Sequence, residues 1–222
     1  MDQYVERARA KFRKVQISPS YSGRLHLFAT LVVTLSVITA SLWFLQSPSW
    51  IEWLTVPITF AYANLSEYLG HKGPMHHPTK LLALIYRRHT IEHHSFFTDV
   101  EDTIESPDDF KAVMFPPIML LFFFGAFATP VAVLIYFVLG VNVALLFVFT
   151  STSYFLIYEL LHLSYHLDKS SWPAKLPFMA QLRHHHTVHH NRDLMADHNF
   201  NITFPICDAI FGTTYRRKKK TD

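Results

Sequence analysis

Apart from His26, the fifteen histidines of this 222-residue chain fall into two short segments, 71 to 94 and 162 to 198. Within them they recur at three- and four-residue steps, which place side chains on one face of a helix. Imidazoles clustered in this way are metal-binding chemistry, because a neutral ring offers a nitrogen donor without adding charge. The single Cys207 leaves no partner for an internal disulfide and no multi-thiolate site, so the ligands must be nitrogen and oxygen.

Four clusters supply the candidates. In HKGPMH, His71 and His76 are five apart and about 140° out of phase on a continuous helix. Gly73 and Pro74 are expected to break it so that both can face one ion. In HTIEHH, His89 and His93 share a face at i, i+4, with His94 alongside. His162 and His166 repeat that step, and RHHHTVHHN offers His186, His189 and His190 at i, i+3, i+4. His184 and His185 could substitute or support, His77 before Pro78 reads as a neighbour of the site, and His26 reads as a solvated or capping residue. One metal commonly takes three or four protein ligands, so these histidines imply two ions. Imidazole ligation without thiolate suits iron, zinc, copper or nickel. Glu67, one helical turn before His71, and Glu159, three residues before His162, are placed to accept a proton from a ligand's distal nitrogen. Asp197 and His198 are candidates for the same role, and the acidic stretch from Asp99 to Asp109 reads as a solvated connection.

Each histidine segment lies directly behind a long hydrophobic stretch. A chain that is 50% hydrophobic and 17% charged, with twenty phenylalanines, has the composition of a membrane protein. No Lys or Arg lies between Leu25 and His71, and no charged residue between Ala112 and Tyr158. A span needs about twenty apolar residues, so each window holds two. The first pair covers 25–46 and 50–70, turning at Gln46 to Ser49. The second covers 117–138 and 142–162, turning at Gly140, Val141 and Asn142, with Pro116 and Pro117 suited to a helix start. The expected fold is therefore all-α, an integral membrane protein of four transmembrane helices in two hairpins with a cytosolic histidine-rich helical cap. A segment 1–24 precedes the 25–215 membrane domain, and a basic tail, 216–222, follows. All twenty Lys and Arg then fall on one side, which the positive-inside rule assigns to the cytosol together with both termini and both histidine segments. Trp50 and Trp53 would mark the opposite interface. The start, MDQYVERARAKFRKV, lacks the apolar core of a cleaved signal, so the first hydrophobic segment is expected to remain as an anchor.

Taken in order, HKGPMH, HTIEHH, HLSYH and HTVHH, with SEYLGH, YELLH and NFNITFPICDAIFGT around them, resemble the fatty acid hydroxylase/sterol desaturase superfamily of membrane di-metal oxygenases. The resemblance runs over residues 60 to 215, and the HX3H motif flanked by YELL is most similar to the fatty acid 2-hydroxylase branch. It implies two metal ions, iron by expectation with zinc possible on isolation, and O2 as cosubstrate. It also implies a lipid substrate, a fatty acyl chain first of all, that becomes hydroxylated. With too little chain before Leu25 for a fused cytochrome b5 domain, the expected donor is separate, cytochrome b5-like or ferredoxin-like with its reductase. Three residues rather than two separate His89 from His93, Asn201 stands where the family often has Gly, and Cys207 where a Trp commonly precedes the Asp. These departures bear on the substrate more than on the reaction.

Other readings compete. A sterol or carotenoid oxygenase or desaturase would use the same motifs. Metal transport or storage requires polar residues along the spans, and these hold little beyond Asn64, Glu67 and Asn142. A zinc hydrolase would carry HExxH, which is missing. The segment SWPAKLPFMAQLR, with Trp172, Leu176, Phe178, Met179 and Leu182, reads as interfacial, while Phe122, Phe123, Phe124 and Phe127 face lipid or pack between helices. The location expected is the inner membrane in a bacterium. In a eukaryote it is the endoplasmic reticulum, with Lys219 and Lys220 at dilysine positions. No nucleic-acid partner is expected.

Overall fold

The structure, a computed structural model, describes residues 2–116 and 123–217, and no strand occurs among them. In chain order the helices are α1 (Gln3–Gln16), α2 (Gly23–Trp43), α3 (Thr55–Gly70), α4 (Ala83–Tyr86), α5 (His94–Phe96), α6 (Phe110–Val113), α7 (Thr129–Leu139), α8 (Val141–Tyr165), α9 (Met179–His189) and α10 (Ile206–Phe211). Turns of π-helix cover His71–Met75, Arg87–His93 and Phe123–Ala128. The chain forms two compact units: one of residues 1–19, 64–105 and 161–222, the other of 20–63 and 106–160.

The second unit carries the long apolar helices. Among the described residues two helices are long and apolar enough to cross a membrane, Gly23–Trp43 and Val141–Tyr165. α3 alone has 16 residues, about 24 Å at 1.5 Å per residue, which is short of a ~30 Å hydrocarbon core. It is extended by a 3₁₀ turn, Glu52–Leu54, before it and the π turn His71–Met75 after it. A further apolar helix covers Phe124–Leu139. Residues 117–122, with the expected start at Pro117 and Phe122, lie outside the described residues.

α2 is polar inside and apolar outside. Ser22 caps it, accepting from the Leu25 amide at 3.3 Å, and Leu25, Phe28, Val33 and Leu35 are exposed. The buried side holds Gly23, His26, Thr30, Thr34 and Ser41. Small and hydroxylated residues on the packed face, with large apolar ones turned out, are the arrangement a helix takes in lipid. Thr34 and Ser41 satisfy their hydroxyls on the Thr30 and Val37 carbonyls at 2.7 and 2.8 Å. His26 is not solvated as expected. It is buried, with Nδ1 2.9 Å from the Tyr21 hydroxyl and Nε2 3.2 Å from the Phe115 carbonyl. The turn foreseen at Gly140, Val141 and Asn142 reduces to Gly140, whose φ of 94° suits glycine. Asn142 already belongs to α8 and clasps Gln46, accepting from its amide at 2.8 Å and donating to its carbonyl at 3.1 Å.

In the first unit the N-terminal segment is more than a charged leader. Asp2 caps α1 by accepting from the Tyr4 amide at 3.0 Å. Val5, Arg9 and Phe12, spaced four and three apart on one face, are its buried residues. Of the segment expected at an interface, Trp172, Leu176 and Phe178 are exposed, whereas Met179 is buried.

Candidate metal centre

The first unit gathers ten buried histidines into two groups of five. One holds His71, His76, His89, His94 and His189; the other holds His93, His162, His166, His186 and His190. Within each group the potential ligand atoms all lie within 4.8 Å of one another. Close approaches are between Nε2 atoms: His71 to His89 at 2.8 Å, His76 to His189 at 3.0 Å, His162 to His93 at 3.2 Å, and His186 to both His166 and His190 at 3.0 Å.

Local helix geometry decides which histidine joins which group. In the first group, His71 with His76 and His89 with His94 are i, i+5 pairs, and each involves a π-helical turn. A π turn closes i→i+5 hydrogen bonds, so residues five apart come to lie over one another. The break expected at Gly73 and Pro74 is thus a widened turn with Pro74 inside it. The second group is built on ordinary i, i+4 pairs, His162 with His166 on and just after α8, and His186 with His190 at the end of α9. The groups do not follow the shared helix faces that the sequence spacing gives. His89 and His93 do not serve one ion side by side, because the π turn aligns His89 with His94 and sends His93 to the other group. His189 parts from His186 and His190 to complete the first group.

The proton inventory favours a cation in each group. A carbonyl can only accept, so a ring nitrogen facing one must carry the proton. His71 donates from Nδ1 to Phe200 at 2.5 Å, His189 to His198 at 2.9 Å, His166 to Asp102 at 2.7 Å and His190 to Phe97 at 3.1 Å, all backbone carbonyls. A neutral imidazole has one proton, so the Nε2 atoms of these four rings are bare lone pairs turned inward. His186 Nε2 sits between two of them, with one proton at most to share. Burial pushes His71, His89, His94, His166, His186, His189 and His190 well below the ordinary histidine range, and His76 down to about 2, with neighbouring imidazoles adding to the effect. Uncharged rings with converging lone pairs are what a metal ion satisfies, and both groups fit one.

The carboxylates do not act where the sequence suggested. Glu67 accepts from the Ile202 amide at 2.6 Å and the Thr203 amide at 3.1 Å, and from the Thr203 hydroxyl, while the His71 distal proton goes to Phe200. It therefore holds the loop that presents the Phe200 carbonyl. Glu159 belongs to the other unit and accepts from the Phe115 amide at 3.2 Å. Asp197 is exposed on a turn. The buried carboxylate that supports this region is Asp208, a lone charge in the apolar run PICDAIF. It accepts from the Phe200 and Asn201 amides at 2.9 and 2.7 Å, from the Thr213 hydroxyl at 2.6 Å and from His185 Nε2 at 3.2 Å. Burial pushes Asp208 up, but these four bonds outweigh it and hold it below the usual carboxylate range. Asn201 is equally engaged, accepting from the Cys207 amide at 3.1 Å and donating to the Asn64 carbonyl at 2.9 Å.

The acidic stretch is a solvated connection only in part, with Asp99, Glu105 and Asp108 exposed and Asp102 and Asp109 turned inward. Asp102 gives its carbonyl to His166 and takes Arg183 and the Thr187 hydroxyl on its carboxylate at 3.2 and 3.1 Å. His198 also supports through its carbonyl rather than its ring. His77 and His184 are exposed, and His77 Nδ1 bonds the Lys72 carbonyl at 2.8 Å.

Comparison with known proteins agrees with this geometry. The family model for fatty acid hydroxylase matches residues 56–213. Among solved structures, one described as full-length scs7p, with only the hydroxylase domain visible, superposes with a TM-score of 0.61 at 19% identity. The match covers 86% of this chain and 66% of that one, so the fold is shared while this chain spans about two thirds of the longer protein. No curated protein matches.

Proposed function

Because the chain belongs to the fatty acid hydroxylase family, we propose that it is an O2-dependent membrane oxidoreductase that hydroxylates a lipid, a fatty acyl chain first of all. The observation that carries this reading is the pair of all-histidine groups, in each of which two inward nitrogens are bare lone pairs. Two iron ions held there would supply the chemistry, with O2, two protons and two electrons from a separate cytochrome b5-like or ferredoxin-like donor converting an unactivated C–H bond to C–OH and the second oxygen atom to water. Zinc suits the same nitrogen donors and is the metal to expect as a contaminant on isolation.

The ten histidines then act as ligands, five to each ion. The carbonyls of Phe97, Asp102, His198 and Phe200 fix the tautomer of their rings, so that Nε2 faces inward. Full burial of His189, His190 and His166 keeps their rings out of bulk water. Glu67 and Asp208 serve as positioning residues through the loop at 200–203. The apolar outer surfaces of α2 and α7 suit a substrate that arrives dissolved in the bilayer, with the metal centre and both termini on the cytosolic side by the charge rule. The YELLH context of the third motif, and the fold shared with the scs7p hydroxylase domain, support an acyl 2-hydroxylase over a sterol oxygenase.

Anaerobically purified protein should contain two iron ions per chain, and membranes supplied with reductant and O2 should yield a hydroxylated acyl product. His93→Ala and His189→Ala, each removing the ligand that one motif lends to the opposite group, should abolish that product. Undiminished hydroxylation in either would reject the assignment.

A further inference from the structure

α1 lies outside residues 56–213 matched by the family model, yet it packs on the loop that supports the second histidine group, with Phe12 against Phe96, Arg13 on Glu105 and Arg9 between them. Arg9 is only 3% exposed, and its fork makes three directed contacts. Nε donates to the Phe96 carbonyl at 2.9 Å, one terminal nitrogen to Glu105 at 2.6 Å, and the other to the Glu101 carbonyl at 3.1 Å. The guanidinium also lies over the rings of Phe96 and Phe97, 5.1 and 5.8 Å from their centroids. These contacts clamp residues 96–105 at both ends and in the middle.

That loop serves one group. Its Phe97 carbonyl takes the distal proton of His190, and its Asp102 carbonyl takes that of His166. The Phe97 ring stacks on the His166 ring at 4.0 Å, and the Ile104 amide donates to the His166 carbonyl at 2.9 Å. The first group takes its distal carbonyls from His198 and Phe200 instead. We propose that Arg9 is a positioning residue for the His93, His162, His166, His186 and His190 group, setting through loop 96–105 how tightly that group alone holds its metal. The proposal rests on the reading of both groups as metal sites. A lysine cannot replace the fork, having one ammonium for three separated acceptors.

The test uses the full chain loaded anaerobically with iron(II), with release to a chromogenic chelator followed in time. His76→Ala leaves only the second group whole, and His162→Ala only the first. Adding Arg9→Gln is expected to speed iron release about tenfold in the His76→Ala background, the low end for an outer contact to a ligand. In the His162→Ala background it should leave the rate unchanged, and Lys11→Gln, on the exposed side of α1, should alter neither. Equal acceleration in both backgrounds, or in neither, overturns the proposal. A parent chain that binds fewer than two irons overturns the metal reading instead. Where Arg9→Gln does not accumulate as folded protein, amide exchange over residues 3–16 in His76→Ala decides. Coupling is reciprocal, so iron must slow that exchange, and unchanged exchange overturns the proposal.

Discussion

Replacing Asp208 by Asn removes one charge and turns one acceptor into a donor without changing shape. The two carboxylate oxygens each take two donors: Oδ1 takes the Phe200 amide and the Thr213 hydroxyl, and Oδ2 takes the Asn201 amide and His185. The hydroxyl can rotate and the imidazole can change tautomer to accept from the new NH2. The backbone amides cannot. Whichever way the amide is flipped, one buried N–H, of Phe200 or of Asn201, loses its acceptor and faces a donor, at a cost of about 1–3 kcal/mol. The remaining bonds fall from charge-assisted to neutral strength, for about another 2 kcal/mol together. A total near 4 kcal/mol lowers the melting temperature of a chain this size by about 10 °C. Because the Phe200 carbonyl holds His71, the first group should also lose metal faster than the second. Thermal unfolding of detergent-solubilised protein, followed by far-ultraviolet circular dichroism, reads the first effect, and chelator release reads the second. A shift below ~2 °C, which corresponds to less than about 1 kcal/mol, would refute the view that Asp208 anchors this loop.

Two further perturbations probe the fold and the charge state. Burial holds His71 and His89 well below 6.5 and His76 at about 2, so below about 6.5 the unfolded chain binds more protons than the folded one and stability rises with pH. The metal-free protein should therefore hold this stability above pH ~6.5 and lose it as pH falls, seen as a steep drop in melting temperature from pH 7 to pH 5. A flat profile over that window contradicts buried neutral rings. A Cβ added to Gly23 would lie 1.8 Å from the Pro107 carbonyl oxygen, so Gly23→Ala should destabilise by about 1–3 kcal/mol or more. A melting temperature equal to that of the parent would show that the start of α2 can give way there.

The sequence made the ten histidines legible because type and spacing alone select them. Their partition was not legible, because it depends on π turns that only Gly73 and Pro74 hinted at; Arg87–His93 contains neither residue. The supporting contacts were misread for a different reason. Carboxylates near a ligand in sequence are placed to accept its proton, but backbone carbonyls far along the chain do that work, Phe200 for His71 and Phe97 for His190. Every residue has a carbonyl, so no residue type marks the one that matters. In the N-terminal segment Val5, Arg9 and Phe12 form a stripe at helical spacing, but three residues are a faint signal among so many charged neighbours. The hydrophobic windows gave the apolar helices but not the inward polar face of α2, whose Thr30, Thr34 and Ser41 are weak signals in an apolar run.

The exchange of single histidines has a consequence for how the two groups work together. His93 and His94 are consecutive residues, as are His189 and His190, and each pair sends one ring to either group. Consecutive Cα atoms are fixed about 3.8 Å apart by the trans peptide, so two covalent ties of one residue join the groups. Neither group can shift relative to the other without rotating the π turn at Arg87–His93 or the end of α9, and the latter is held by the His198 and Phe97 carbonyls that lock the His189 and His190 rings. A reaction that needs two ions at a set separation requires this kind of constraint, and independent sites on separate loops would not supply it.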